Sequence, residues 1–219
     1  MATATLPRKR KRTQPKYHFG LESNGILMTP EEFDTADPDD FDECWDYELI
    51  NGVLVVSPIP MAQERDPNDE LGHMIRTYRE SHPEGKSVDK TLPEEYIKTG
   101  RNRRKADRVI WAGLGRLPRK NETPTIAIEF VSRRKRDRKR DYETKREEYQ
   151  RVGVQEYWII DRFQKNMTVH MLENGEYRKK VLHAKQTYRT KLLPGFEVPL
   201  ARLFALADQW DEEPTEGAS

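Results

Sequence analysis

Residues 125–131 read Thr125-Ile126-Ala127-Ile128-Glu129-Phe130-Val131, an apolar run interrupted by one carboxylate. Period-two alternation puts Ile126, Ile128 and Phe130 on one face of a strand and Ala127, Glu129 and Val131 on the other. A strand apolar on both faces belongs at the centre of a sheet covered on both sides, which makes the fold α/β. Glu129 breaks the pattern. Burying a charge without a partner costs several kcal/mol, so this carboxylate needs a cation.

Downstream, a helix is predicted from about Asp137 to Val152, closed by Gly153 as a left-handed cap. Within it Tyr142, Lys145, Tyr149 and Val152 lie three, four and three residues apart and form one sheet-facing stripe. An ammonium group is therefore aimed inward. Glu156–Asp161 reads as another strand, and Thr168–Leu172 with Tyr177–Leu182 as a hairpin around Asn174-Gly175. Upstream, Leu92–Lys98 and Ala106–Ala112 are strand candidates; in the second, Asp107 shares a face with Val109 and Trp111. Asp66-Pro67 opens a helix carrying Leu71, Met74, Ile75 and Tyr78 on one stripe and ending near His82-Pro83. Trp45–Ile50 and Val53–Ser57 flank Asn51-Gly52, the pair that suits a type I′ turn. Thr29-Pro30-Glu31-Glu32 fits a capping box opening a short helix over 30–36.

Composition bounds the function classes. The 219 residues carry 39 Lys plus Arg and 38 Asp plus Glu, a formal net charge of +1, which excludes a uniformly supercharged coat for nucleic acid or membrane. A single cysteine, Cys44, excludes an internal disulfide framework and a Cys-rich zinc site. No apolar run approaches a membrane span and none follows the basic N-terminus, so the expected setting is soluble, reducing and cytoplasmic, without membrane contact. Residues 1–25, with the block Arg8-Lys9-Arg10-Lys11-Arg12, are expected to be a disordered basic tail. The globular unit should span 26–208, followed by an acidic tail over 209–219. Ten carboxylates between Glu31 and Glu48 lack the glycine and ligand alternation of an EF-hand and read as a solvated acidic face.

Asp107, Glu129 and Lys145 are thus inward charges on two neighbouring strands and the helix that covers them. Hard carboxylate oxygens suit Mg²⁺, with Mn²⁺ able to replace it, and a lysine beside them could orient a water or stabilise charge on a phosphoryl group. A buried Lys145–Glu129 salt bridge without metal reads equally well from spacing alone. Two basic stretches should flank the carboxylates: Arg133, Arg134, Lys135, Arg136 and Arg138 after the Glu129 strand, and Arg101, Arg103, Arg104, Lys105 and Arg108 around Asp107. They mark where a polyanion backbone would dock.

With these residues the sequence resembles the bacterial Uma-type family of restriction-endonuclease-like proteins in the PD-(D/E)XK nuclease superfamily. The resemblance rests on Tyr47-Glu48-Leu49-Ile50-Asn51-Gly52-Val53-Leu54, Ala106-Asp107-Arg108-Val109, Ile128-Glu129-Phe130-Val131-Ser132, on Asp141, Lys145 and Tyr149, and on Gly153-Val154-Gln155-Glu156-Tyr157-Trp158-Ile159-Ile160-Asp161. It implies a restriction-endonuclease-like α/β core with a central mixed β-sheet flanked by helices, plus added hairpins. It also implies Asp107 and Glu129, with the main chain at Phe130, as metal ligands, and a catalytic lysine moved from the strand slot, here Val131, to Lys145. Glu48 matches an early acidic position and either assists the metal or makes a hairpin salt bridge. Ala106 stands where the family usually has proline, and no histidine lies near Asn68. Ser132 and Tyr149 match motif positions that a strand-end cap and core packing would also explain; Asp161 reads as a strand-end cap.

The expected activity is metal-dependent endonuclease hydrolysis of phosphodiester bonds, in DNA, by a protein that the resemblance implies to be a homodimer. The competing expectation is a noncatalytic nucleic-acid-binding module on the same fold.

Overall fold

A computed structural model describes residues 18–132 and 139–211. The basic block at 8–12, the run 133–138 and residues 212–219 lie outside the described residues. The N-terminal stretch expected to be a tail is structured from Phe19 onward. Phe19 is buried against Phe41, and the Gly25 N–H donates to the Leu54 carbonyl. An apolar ring and a backbone bond, both beyond the basic block, compensate the ordering entropy of these residues.

The sheet has eight strands: β1 (Trp45–Ile50), β2 (Val53–Pro58), β3 (Val88–Thr99), β4 (Asn102–Ala112), β5 (Ile126–Phe130), β6 (Glu156–Asp161), β7 (Asn166–Glu173) and β8 (Glu176–His183). Their order is β2-β1-β4-β5-β6-β7-β8, with β3 also paired to β4. Only β5 and β6 run parallel; the other pairs are antiparallel, so the sheet is mixed as expected. The short strands β9 (Thr187–Arg189) and β10 (Glu197–Pro199) form a separate ribbon. The helices are α1 (Pro30–Thr35), α2 (Ala62–Ser81), α3, in which a π-helical segment Arg140–Lys145 runs into the α-helix Arg146–Arg151, and α4 (Leu200–Gln209). Helix α2, at 20 residues, is the longest of them, and no described helix is long and apolar enough to cross a membrane.

Local chemistry explains most of these elements. Asn51 and Gly52 both have positive φ, 52° and 79°, as a type I′ hairpin requires. Thr29 accepts from the Glu32 N–H while Glu32 accepts from the Thr29 N–H, closing the capping box of α1. Strand β5 is buried throughout: Ile126, Ile128 and Phe130 enter the core beneath α2 and α4, while Ala127 and Val131 enter the core beneath α3. Helix α2 begins at Ala62, earlier than the expected Asp66-Pro67. Glu64 accepts from the Met61 N–H and caps the helix a turn sooner, which leaves Pro67 inside it at the cost of one backbone bond.

On the α2 side the guanidinium of Arg108 is buried against the helix at Gly72. Its Nε donates to Asn68 Oδ1 at 2.6 Å, and Asn68 Nδ2 donates to the Asp107 carbonyl at 2.8 Å. A Cβ at residue 72 would lie 2.6 Å from Cζ, Nη1 and Nη2 of Arg108. Gly72→Ala should therefore destabilise the protein by about 1–3 kcal/mol in urea unfolding, although alanine is the better helix former. A stability gain would show that the guanidinium can move aside freely.

Candidate active site

The long strand β4 uses one edge for β3 along nearly its whole length. Its other edge is divided: β1 pairs at Arg103, and β5 pairs from Arg108 to Ile110. Between the two the sheet forks, and the backbone of Lys105 faces the gap. Side chains take the place of the missing strand. Glu48 Oε1 accepts from the Lys105 N–H at 3.0 Å, and Lys145 Nζ donates to the Lys105 carbonyl at 2.8 Å. Extending the β4–β5 register by one pair sets Asp107 opposite Glu129, and there Asp107 Oδ2 accepts from the Phe130 N–H at 2.6 Å.

A cavity of about 220 Å³ opens at this fork. Asp107, Glu129, Phe130, Lys145 and Glu48 all line it, so the structure brings together the candidate residues taken from four separate elements. Lys145 Nζ lies 2.9 Å from Glu129 Oε1, 3.7 Å from Glu48 Oε1 and 3.8 Å from Asp141 Oδ1. The inward stripe of α3 holds: Lys145 and Tyr149 are buried, and Tyr142 and Val152 are half-buried.

Electrostatics follow from this burial. Desolvation raises Asp107 to about 7, with Lys145 pulling the other way. Burial likewise raises Glu129 well above the ordinary carboxylate range, Lys145 opposing and the nearby Asp107 and Asp141 adding to the rise. Asp141 is raised for the same first reason. For Glu48, burial is outweighed by Lys145, Arg140 and Arg104, and its carboxyl is held below the usual value. Lys145 is buried too, yet the surrounding carboxylates hold its ammonium above the ordinary lysine range.

The basic residues around Asp107 are placed differently from the expected docking loop. Arg103 and Arg104 are buried in β4 behind a turn at Gly100-Arg101. Arg103 makes a two-pronged pair with Asp34 at 2.6 and 2.7 Å, and Arg104 makes one with Glu148 at the same distances. Lys105 lines the cavity but is paired with Asp46 and Glu94, and Arg108 faces α2. Carboxylates distant in the chain pair Arg103, Arg104 and Lys105, so Arg103 and Arg104 are held in buried ion pairs inside the fold instead of standing on an exposed docking loop. Of this group Arg101, at the turn, is exposed. Arg133, Arg134, Lys135, Arg136 and Arg138 lie outside the described residues.

Several residues of the site were given no part in it from the sequence, although Asp141 and Tyr149 match motif positions. Tyr149, read as core, donates to Glu129 Oε1 at 3.2 Å. Asp141 is four residues before Lys145, a spacing that could have revealed it. Arg140 lines the cavity and reaches Glu48 Oε2 at 3.1 Å. Asp161 caps its strand as expected, accepting from the Phe163 and Gln164 N–H groups.

The donor set suits a hard divalent cation. The cavity's candidate ligands are oxygens, and desolvation raises both central carboxylates, Glu129 further because Asp107 lies nearby, a cost that a cation would relieve. Among the described residues no group of three or more His, Cys, Asp or Glu side chains is arranged around one ion. An ion here would therefore use Asp107, Glu129 and the Phe130 carbonyl together with water, the mixed shell that Mg²⁺ favours.

The fold is similar to that of a crystal structure from Anabaena variabilis ATCC 29413, described as "a putative nuclease belonging to DUF820", with a TM-score of 0.64 at 14% identity over 82% of this chain and 99% of that one. No curated protein matches the chain significantly. The sequence matches the Uma2 family model, described as "Putative restriction endonuclease", over residues 30–201. Since that match spans most of the chain, the protein belongs to the Uma2 family of nucleases.

Proposed function

We propose that the protein is a Mg²⁺-dependent endonuclease that hydrolyses phosphodiester bonds in DNA, with Mn²⁺ able to substitute. The observation that carries this reading is the fork itself, where Asp107 and Glu129 from adjoining strands and Lys145 from the covering helix meet in one cavity. Asp107, Glu129 and the Phe130 carbonyl would hold the ion, which supplies positive charge for the phosphoryl oxygens and acidifies a water. Lys145 neutralises Glu129 and presents a fixed donor to the attacking water. Glu48 acts through others, fixing the Lys105 main chain and drawing Lys145 and Arg140 toward the site. The acidic character of the cavity favours this reading over a noncatalytic nucleic-acid-binding module, which would line its surface with free cations. A homodimer would set two such cavities on the two strands of a duplex.

Plasmid nicking in Mg²⁺ or Mn²⁺ tests the assignment. Glu129→Gln should lower the rate by about 100-fold or more while the protein remains folded by circular dichroism. Equal nicking by wild type and by folded Glu129→Gln would refute it.

A further inference from the structure

Among the described residues two lysines reach the cavity, and they differ in what they can still bind. The Lys145 side chain is 2% exposed, and its ammonium is already enclosed by Glu129 and the Lys105 carbonyl, with Glu48 and Asp141 behind them. The Lys105 side chain is 21% exposed. Its ammonium sits between Asp46 of β1 and Glu94 of β3, 2.6 Å from the Glu94 carboxylate, and both carboxylates line the same cavity as Asp107 and Glu129.

Glu94 is the unusual member of this group. It has φ +54°, in the left-handed region, within a strand of 12 residues. A non-glycine residue held there is strained and persists only where its surroundings fix it. Pro93 pairs with Arg108 and Glu95 with Ala106, so the strained residue lies across from Asp107. Glu94, Asp107 and Glu129 thus line up across three adjacent strands, and the strain coincides with the contact that anchors Lys105. The Lys105 main chain is fixed as well, its N–H on Glu48 and its carbonyl on Lys145.

We propose that Lys105 is a catalytic residue of the nuclease: its ammonium, anchored by Asp46 and Glu94, meets the departing oxygen of the scissile phosphodiester and stabilises the negative charge developing there. The inference rests on the nuclease reading above. In that reaction the oxygen of water forms a new bond to phosphorus as the ester P–O bond breaks. The departing oxygen takes a proton from solvent, the attacking water releases one, and Lys105 stays protonated throughout. Because the ammonium is positioned before substrate arrives, its charge needs no reorganisation at the moment of reaction.

The test compares two leaving groups. DNA releases an alkoxide that needs charge stabilisation, whereas thymidine 5′-(p-nitrophenyl phosphate) releases a phenolate that delocalises its own charge. With Mn²⁺ present, Lys105→Met should slow DNA cleavage about 100-fold, with a loss on the nitrophenyl ester at least about tenfold smaller. Lys105→Arg, which keeps the charge, should recover part of the DNA activity. Removing the lysine alone leaves Asp46 and Glu94 facing each other, so Asp46→Asn/Glu94→Gln/Lys105→Met, which removes all three charges together, should show the same selectivity if the single variant fails to fold. Equal losses on both substrates, or no loss, would overturn the inference and leave the nuclease reading intact. Wild-type protein inert toward both substrates would overturn both.

Discussion

Lys145→Met is expected to destabilise the protein by about 3–5 kcal/mol at neutral pH, the range for removing one partner of a buried ion pair. The reason is the number of carboxylates that depend on this one ammonium. Glu129, Glu48 and Asp141 all lie within 4.0 Å of Lys145 Nζ, and all three are buried. Without the lysine, Glu48 retains Arg140 and Asp141 retains its contact with Arg140, but among the described residues Glu129 keeps only the Tyr149 hydroxyl. Glu129 must then take up a proton or carry an uncompensated buried charge. Adding Glu129→Gln should restore part of the loss, because a neutral amide in that place needs no counter-ion. The two changes should be coupled by about 1–3 kcal/mol in a double-mutant cycle measured by denaturant unfolding. A single-variant loss below about 1 kcal/mol would mean that the ammonium contributes little to holding these acids together.

The residues that were legible in the sequence are those whose own element exposes the anomaly. Glu129 stands out because its neighbours on both faces of β5 are apolar, and Lys145 because Tyr142 and Tyr149 mark the buried stripe of α3 at helical spacing. The Asn51-Gly52 turn and the Thr29–Glu32 capping box were legible for the same local reason. What could not be read depends on partners distant in the chain. Arg103 and Arg104 look like part of a solvated basic loop until Asp34 and Glu148 appear beside them, 69 and 44 residues away. The fork between β1 and β5 is a property of sheet order, which no single strand announces. Glu94 is invisible for a further reason, since an acidic residue after proline gives no sign of a left-handed backbone. The π-helical segment of α3, which brings both Asp141 and Lys145 inward, likewise leaves no trace in an otherwise regular helical pattern.

Without divalent metal, the protein should lose stability as pH rises from about 4 to about 7, and added Mg²⁺ should restore it. Asp107 carries the argument. Its folded value of about 7 lies above the ordinary 3.8, so between those limits the folded state holds a proton that the unfolded chain has released. Stability must then fall with rising pH across that window and level off above it. A rise from 3.8 to about 7 corresponds to at most about 4 kcal/mol, and the partial exposure of Asp107 makes the real figure smaller. Glu129, raised in the same direction, adds to the fall. His170 opposes it: burial lowers its value to about 4 from 6.5, so it contributes stability that grows as pH rises between those values. Asp34, held at about 2 by Arg103, gains the last of its contribution just above its ordinary 3.8 and leaves the slope from about pH 5 upward unchanged. Thermal unfolding of wild type and Asp107→Asn from pH 5 to 8 reads the contribution of Asp107 together with the part of the Glu129 rise that Asp107 causes, because His170 is present in both. The asparagine variant should gain on wild type with each step in pH, the gain ending near pH 7. Mg²⁺ should act in the opposite sense, raising the wild-type melting temperature more at pH 8 than at pH 6 because it competes with the proton for the same oxygens. It should do little for Asp107→Asn. A Mg²⁺ shift that is the same at both pH values, or that survives in the variant, would place the ion elsewhere on the protein and leave the strained Asp107–Glu129 pair without its counter-charge.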